Sequence, residues 1–120
     1  MQLLDNVQNH KVMQSPVDQY FNPIHVDCVT RLVYLALEKK IHGVYNIGCN
    51  ENISKFEFNR MIMKKFRFDE SLLEGIGSRD LCVVRPNNGT ISSKKIQADL
   101  ELEIPSLQGM IDMLYASIKQ

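Results

Sequence analysis

Arg85-Pro86-Asn87-Asn88 is the segment of this 120-residue chain whose residue types best suit a ligand. A guanidinium followed by a proline is held on a stiff backbone, and it can bond two phosphate oxygens at once. The two amides add neutral donors and acceptors. By itself the segment favours a turn in which Arg85 only pairs with a surface carboxylate. The histidines (10, 25 and 42) show no HExxH or paired ligand spacing. His25 stands just before a helix start, where its ring can meet a ligand or settle as a partly buried turn residue. Cys28 lies in the first turn of the same helix, where the dipole lowers a thiol pKa, and it also suits a small apolar role in the core. The carboxylates are scattered, with no pair spaced for hydrolysis.

Tyr115 and Lys119 have the YxxxK spacing by which one helical turn places a lysine beside a tyrosine for proton transfer. Here the pair falls at the end of the chain with no cofactor loop upstream, and the spacing is read as coincidence. Glycines 43, 48, 75, 77, 89 and 109 form neither GxGxxG, GxxGxxG nor a phosphate loop. A helix N-terminus therefore lacks the close backbone approach that a dinucleotide needs. No catalytic residue, cofactor-binding residue or metal ligand is assigned to this chain.

Fourteen basic residues balance fourteen acidic ones, 44% of the residues are apolar and 23% are charged. This balance removes the electrostatic case for a nucleic-acid or membrane-surface partner. Three cysteines at positions 28, 49 and 82 fit neither a disulfide framework nor a metal site, so a reducing, cytoplasmic location is expected.

These residues must be positioned by short elements. Residues 1–9 read as the tail of a helix and His10–Val17 as a short strand. Asp27 is expected to cap a helix carrying Val29, Leu32, Val33, Ala36 and Leu37 on one face, with Lys39 and Lys40 at its end and Gly43 as the exit turn. Val44–Ile47 reads as the next strand. Ser54 and Glu57 form a capping box, with Phe58, Met61, Ile62 and Phe66 along the helix that follows. Leu72–Ile76 and Leu81–Val84 are extended apolar runs. Ser93 is expected to cap Lys94–Leu100, and Ser106 to open a last helix through Leu107, Met110, Ile111, Leu114 and Ile118. The apolar faces of these helices, with Val44 and Ile47, form the expected core. The fold class is α/β, with a few short strands packed with about four helices.

Six motifs stand in order along the chain. They are Asp18-Gln19-Tyr20-Phe21-Asn22-Pro23-Ile24-His25-Val26-Asp27; Gly43-Val-Tyr-Asn-Ile-Gly48; Ile53-Ser-Lys-Phe-Glu-Phe58; Arg85-Pro-Asn-Asn-Gly-Thr-Ile-Ser92; Ser93-Lys-Lys-Ile96; and Pro105-Ser-Leu107. The series resembles the C-terminal part of the dTDP-4-dehydrorhamnose reductase family, within the extended short-chain dehydrogenase/reductases. Two positions depart from the RPxNSxLD pattern of that family, Gly89 for serine and Ser92 for aspartate. Cys28 stands where the family often has a second acidic residue.

The resemblance implies a nucleotide-sugar-binding segment, with Arg85 as the favoured substrate contact and Gln19 and Tyr20 as lesser ones. It implies that residues 1–120 are a single C-terminal segment that completes a Rossmann-type sheet in the full protein, the N-terminal Rossmann domain being absent from this chain. The cofactor of the complete family enzyme is NAD(P)H, and none is expected here. The missing N-terminal half or a homo-oligomer is the partner expected to complete the fold. The alternative is a non-catalytic, reductase-derived regulatory or protein-binding module.

Overall fold

A computed structural model describes residues 9–80 and 88–119. The chain divides into two compact units, residues 1–21 with 53–89 and residues 22–52 with 90–120.

In the first unit, β1 (Met13–Pro16) runs parallel to β4 (Leu73–Ile76), with Met13 opposite Leu73 and Pro16 opposite Ile76. The Val17 N–H continues the ladder to the Ile76 carbonyl at 2.9 Å. β2 (Tyr20–Phe21) pairs antiparallel with β3 (Ile53–Ser54). Helix α2 (Lys55–Phe66) packs against both β1 and β4 and buries Ile62 and Met63. Its start is as expected: Ser54 Oγ accepts the Glu57 N–H at 3.2 Å. Its end is made by Arg67, in the left-handed region at φ 58°, which lets the Phe68 N–H reach back to the Met63 carbonyl at 2.9 Å. Gly75 must be small, because a Cβ there would stand 2.7 Å from Val17 Cγ1 and 3.3 Å from the Phe56 ring.

In the second unit, α1 (Val26–Glu38), α3 (Lys94–Leu100) and α4 (Leu107–Lys119) enclose a core that includes Leu32, Cys49, Ile96, Leu100, Leu107 and Ile111. Asp27 does not cap α1. The cap is His25, two residues earlier, whose Nδ1 accepts the Asp27 N–H at 3.1 Å from an extended backbone. Asp27 sits instead within the first turn, where its charge suits the positive end of the helix. Ser93 precedes α3 but makes no side-chain cap, since its hydroxyl is committed elsewhere. Ser106 does cap α4, accepting the Gly109 N–H at 3.1 Å.

Val44–Ile47 forms no strand, and its backbone has no strand partner among the described residues. Val33, Leu37 and Val44, expected in the core, are 48%, 73% and 86% exposed. The helical period places Val33 and Leu37 beside Leu32, but the described residues leave Val33 half covered and Leu37 mostly open. A groove of about 480 Å³ runs alongside, between Leu37, Tyr45 and Ile96. No described helix is long and apolar enough to cross a membrane. Leu81–Val84 and residues 1–8 fall outside the described residues.

Candidate functional site

Gln19 and Tyr20 are tied to the rest of the first unit through their backbone. The Gln19 carbonyl accepts the Lys55 N–H at 3.0 Å, tying it to the start of α2. Tyr20 lies opposite Ser54 on one side and Asn88, in a parallel bridge, on the other. The Gly89 N–H donates to the Tyr20 carbonyl at 2.9 Å. This bond holds the end of the Arg85-Pro-Asn-Asn motif against β2, with Asn88 and the Tyr20 side chain both exposed. A Cβ on Gly89 would stand 3.5 Å from the Tyr20 carbonyl oxygen, an ordinary contact. The serine of the family pattern would therefore fit, and glycine here is not sterically required. Arg85, with Pro86 and Asn87, lies outside the described residues. Of the expected contacts, the structure places Gln19 and Tyr20 here, with Gln19 buried and Tyr20 46% exposed.

In the second unit, Asn22 gathers the loops. Its Nδ2 lies 3.1 Å from the Cys49 and Glu51 carbonyls and 2.7 Å from Asn52 Oδ1. Its Oδ1 accepts the Ile91 N–H at 2.7 Å. Ser93 holds the same loop from the other side, accepting the Gly48 N–H and donating to the Gly48 carbonyl, both at 2.8 Å. Asn50 and Gln97 exchange a reciprocal pair of amide bonds at 3.1 and 2.8 Å. Glu51 Oε2 accepts the Leu107 N–H at 2.6 Å at the positive end of α4. Sequence reading singled out none of Asn50, Glu51 and Gln97, and it read Ser93 only as a helix cap. Only the turn-forming Asn22-Pro23 dipeptide marked the place.

The histidine and thiol candidates resolve to structural roles. The His25 ring is the helix cap. Cys28 is buried, and burial first, then the Asp27 charge, push its thiol pKa up rather than down. Its Sγ lies 3.9 Å from Met113 Sδ, beside a cavity of about 300 Å³ rimmed by Asp27, Arg31 and Glu103. Burial likewise raises the Cys49 pKa, and its thiol donates to the Glu51 carbonyl at 3.1 Å. No group of three or more His, Cys, Asp or Glu side chains among the described residues is arranged to hold a metal ion. Ser92 accepts the Lys94 N–H at 3.4 Å, so it serves the start of α3.

The family model described as the RmlD substrate binding domain matches residues 1–119. The chain belongs to this family. A comparison with curated proteins finds no match to this RmlD-family chain. Among solved structures, dTDP-4-dehydrorhamnose reductase from Bacillus anthracis, in complex with NADP, aligns over 97% of this chain and 42% of its own, with TM-score 0.85 and 13% identity. The Clostridium acetobutylicum dTDP-4-dehydrorhamnose reductase ortholog aligns over 95% and 42%, with TM-score 0.80 and 16% identity. UDP-glucuronic acid 4-epimerase from Bacillus cereus, in complex with NAD, aligns over 98% and 37%, with TM-score 0.71 and 22% identity. At these identities the likeness is one of fold, and it agrees with the α/β class expected of the sequence. This RmlD-family chain spans about two-fifths of the length of the structures it matches.

Proposed function

We propose that this chain is the nucleotide-sugar-binding segment of a dTDP-4-dehydrorhamnose reductase-like enzyme. In the whole protein, hydride from NAD(P)H would reduce the C4 ketone of a nucleotide-linked deoxysugar. The match of the substrate-binding family across residues 1–119 carries this reading. The Tyr20 edge supports it, because the bond from Gly89 brings the end of the Arg85 motif to Tyr20, the first residue of β2. Arg85 is three residues before Asn88 in the chain, and its guanidinium is the group proposed to bond two diphosphate oxygens. Tyr20 offers an exposed ring and hydroxyl, and Gln19 an amide.

The glycines of this chain form no dinucleotide loop, so NAD(P) is not assigned to its residues. The remainder of a full-length enzyme would supply that site. It would also cover exposed Val33 and Leu37 and pair with Val44–Ile47, whose β-type residues, with no backbone–backbone bond among the described residues, suit a sheet edge. No observation favours the regulatory-module alternative.

Calorimetric titration of the 120-residue chain with dTDP-glucose tests the proposal. Saturable binding is expected, weakened about tenfold by Arg85→Lys, which keeps the charge but loses the planar fork. Absence of both heat and amide chemical-shift changes would overturn it.

A further inference from the structure

Asn88 and Gly89 form the one Asn–Gly step in this sequence; every other asparagine precedes a residue with a side chain. Nothing in the described fold asks for glycine at 89. Its φ is not in the left-handed region, and a Cβ there would stand 3.5 Å from the Tyr20 carbonyl oxygen, an ordinary contact. What glycine leaves open is its own backbone nitrogen, which no side chain screens. Asn88 and Gly89 are both exposed, so water and base reach them. Their backbone is held at Tyr20. The Gly89 N–H donates to the Tyr20 carbonyl at 2.9 Å, and Asn88 bridges Tyr20 in parallel.

In an Asn–Gly step the glycine nitrogen can attack the asparagine Cγ. The nitrogen gives its proton to solvent base, the N–Cγ bond forms and the Cγ–Nδ2 bond breaks. The amide group leaves as ammonia, taking up one proton. Water then opens the cyclic succinimide at either carbonyl, giving aspartate or isoaspartate with no change of oxidation state. We propose that Asn88 is a site of spontaneous deamidation, gated by the docking of its motif on β2. Ring closure turns the Asn88–Gly89 peptide plane, which carries the N–H bonded to Tyr20. The docked segment is therefore protected, and the lifted one reacts. The isoaspartyl product does not return to its place, because its main chain is longer by a carbon and out of register with the Tyr20 bridge. Either product carries a new negative charge three residues from Arg85. That charge opposes a diphosphate, so conversion lowers affinity for the nucleotide sugar, a consequence that rests on the proposed function.

The test follows Asn88 by peptide mass spectrometry in the 120-residue chain at mildly alkaline pH, folded and in urea. In urea, conversion should be faster at Asn88 than at any other asparagine. The folded chain should convert there roughly tenfold more slowly or less, by the factor that slows hydrogen exchange of the Gly89 amide, because one opening serves both reactions. Gly89→Ser, which fits the space, should slow conversion in either state. Equal rates with and without urea overturn the proposal, as does a Gly89 amide that exchanges freely in the folded chain. So does a folded chain that stays unconverted over the time its exchange factor sets. The isolated deamidated chain should bind dTDP-glucose roughly threefold more weakly or worse, a deficit that shrinks as salt rises. Unchanged affinity overturns the consequence for binding. A wild-type chain that does not bind dTDP-glucose overturns the proposed function, while the conversion rates still decide the modification site.

Discussion

Asn22 and Gly48 meet at a separation that a side chain could not share. A Cβ on Gly48 would stand 2.9 Å from both the Cβ and the carbonyl oxygen of Asn22, and 3.2 Å from Ile91 Cδ1. The same Asn22 bonds to the loop after Gly48 through Cys49, Glu51 and Asn52, and to Ile91. Close packing and hydrogen bonding thus act at one point. The Gly48 constraint comes from crowding, not from backbone conformation.

Gly48→Ala should therefore destabilise the chain by about 1–3 kcal/mol, the usual range for overpacking. Backbone cannot yield as a flexible side-chain tip would. Denaturant unfolding of the variant checks this, and a midpoint equal to wild type would show that the loop opens freely.

Asn22→Asp should be worse than its size suggests. The carboxylate keeps the acceptor for the Ile91 N–H but turns an amide donor into an acceptor facing two carbonyls and Asn52 Oδ1. A loss of about 1–3 kcal/mol is expected from those unmatched groups, read from the same unfolding curves.

Ser54→Ala and Ser93→Ala should fail differently. Ser54 is a helix cap, and its loss should remove about 1 kcal/mol and fray the start of α2. Ser93 holds Gly48 through two bonds and caps nothing with its side chain, so its loss should appear in the amide exchange of the 48–52 loop rather than of α3. Hydrogen exchange resolved by residue distinguishes the two.

Leu32→Ala should cost about 2–5 kcal/mol, since the side chain is 3% exposed, whereas Leu37→Ala, 73% exposed, should stay within about 0.5 kcal/mol in this chain. Equal losses would mean that Leu37 is covered in solution.

Cys28 and Cys49 should resist alkylation at pH 8 relative to the unfolded chain, because burial raises both thiol pKa values and keeps the neutral form. The linked stability has a definite sign. It is fully present below the ordinary thiol pKa and is lost as pH rises through the raised folded values. Peptide-level mass spectrometry after iodoacetamide labelling reads each site, and the melting point should fall on the alkaline side.

Much of the local structure was legible along the chain because its causes are local. Ser54 with Glu57 marked the start of α2, Ser106 that of α4, and the 3.6-residue period of Leu107, Met110 and Ile111 placed a buried face. The order of motifs also identified the family. What only the tertiary structure decided concerns partners far apart in sequence. Ser93 looks like a cap by position, yet its hydroxyl bonds to Gly48, 45 residues away. Asp27 looks like a cap by residue type, yet the ring before it does the work. Val33 and Leu37 share the face of Leu32 but stay exposed, because periodicity says which side of a helix is apolar and cannot say what lies against it. Gln19 is the sharpest case. Its type reads as polar and solvent-facing, and only packing places its amide in the interior with no partner among the described residues. A hydrogen bond's absence, like its presence across a fold, depends on three-dimensional proximity that no spacing along one chain encodes.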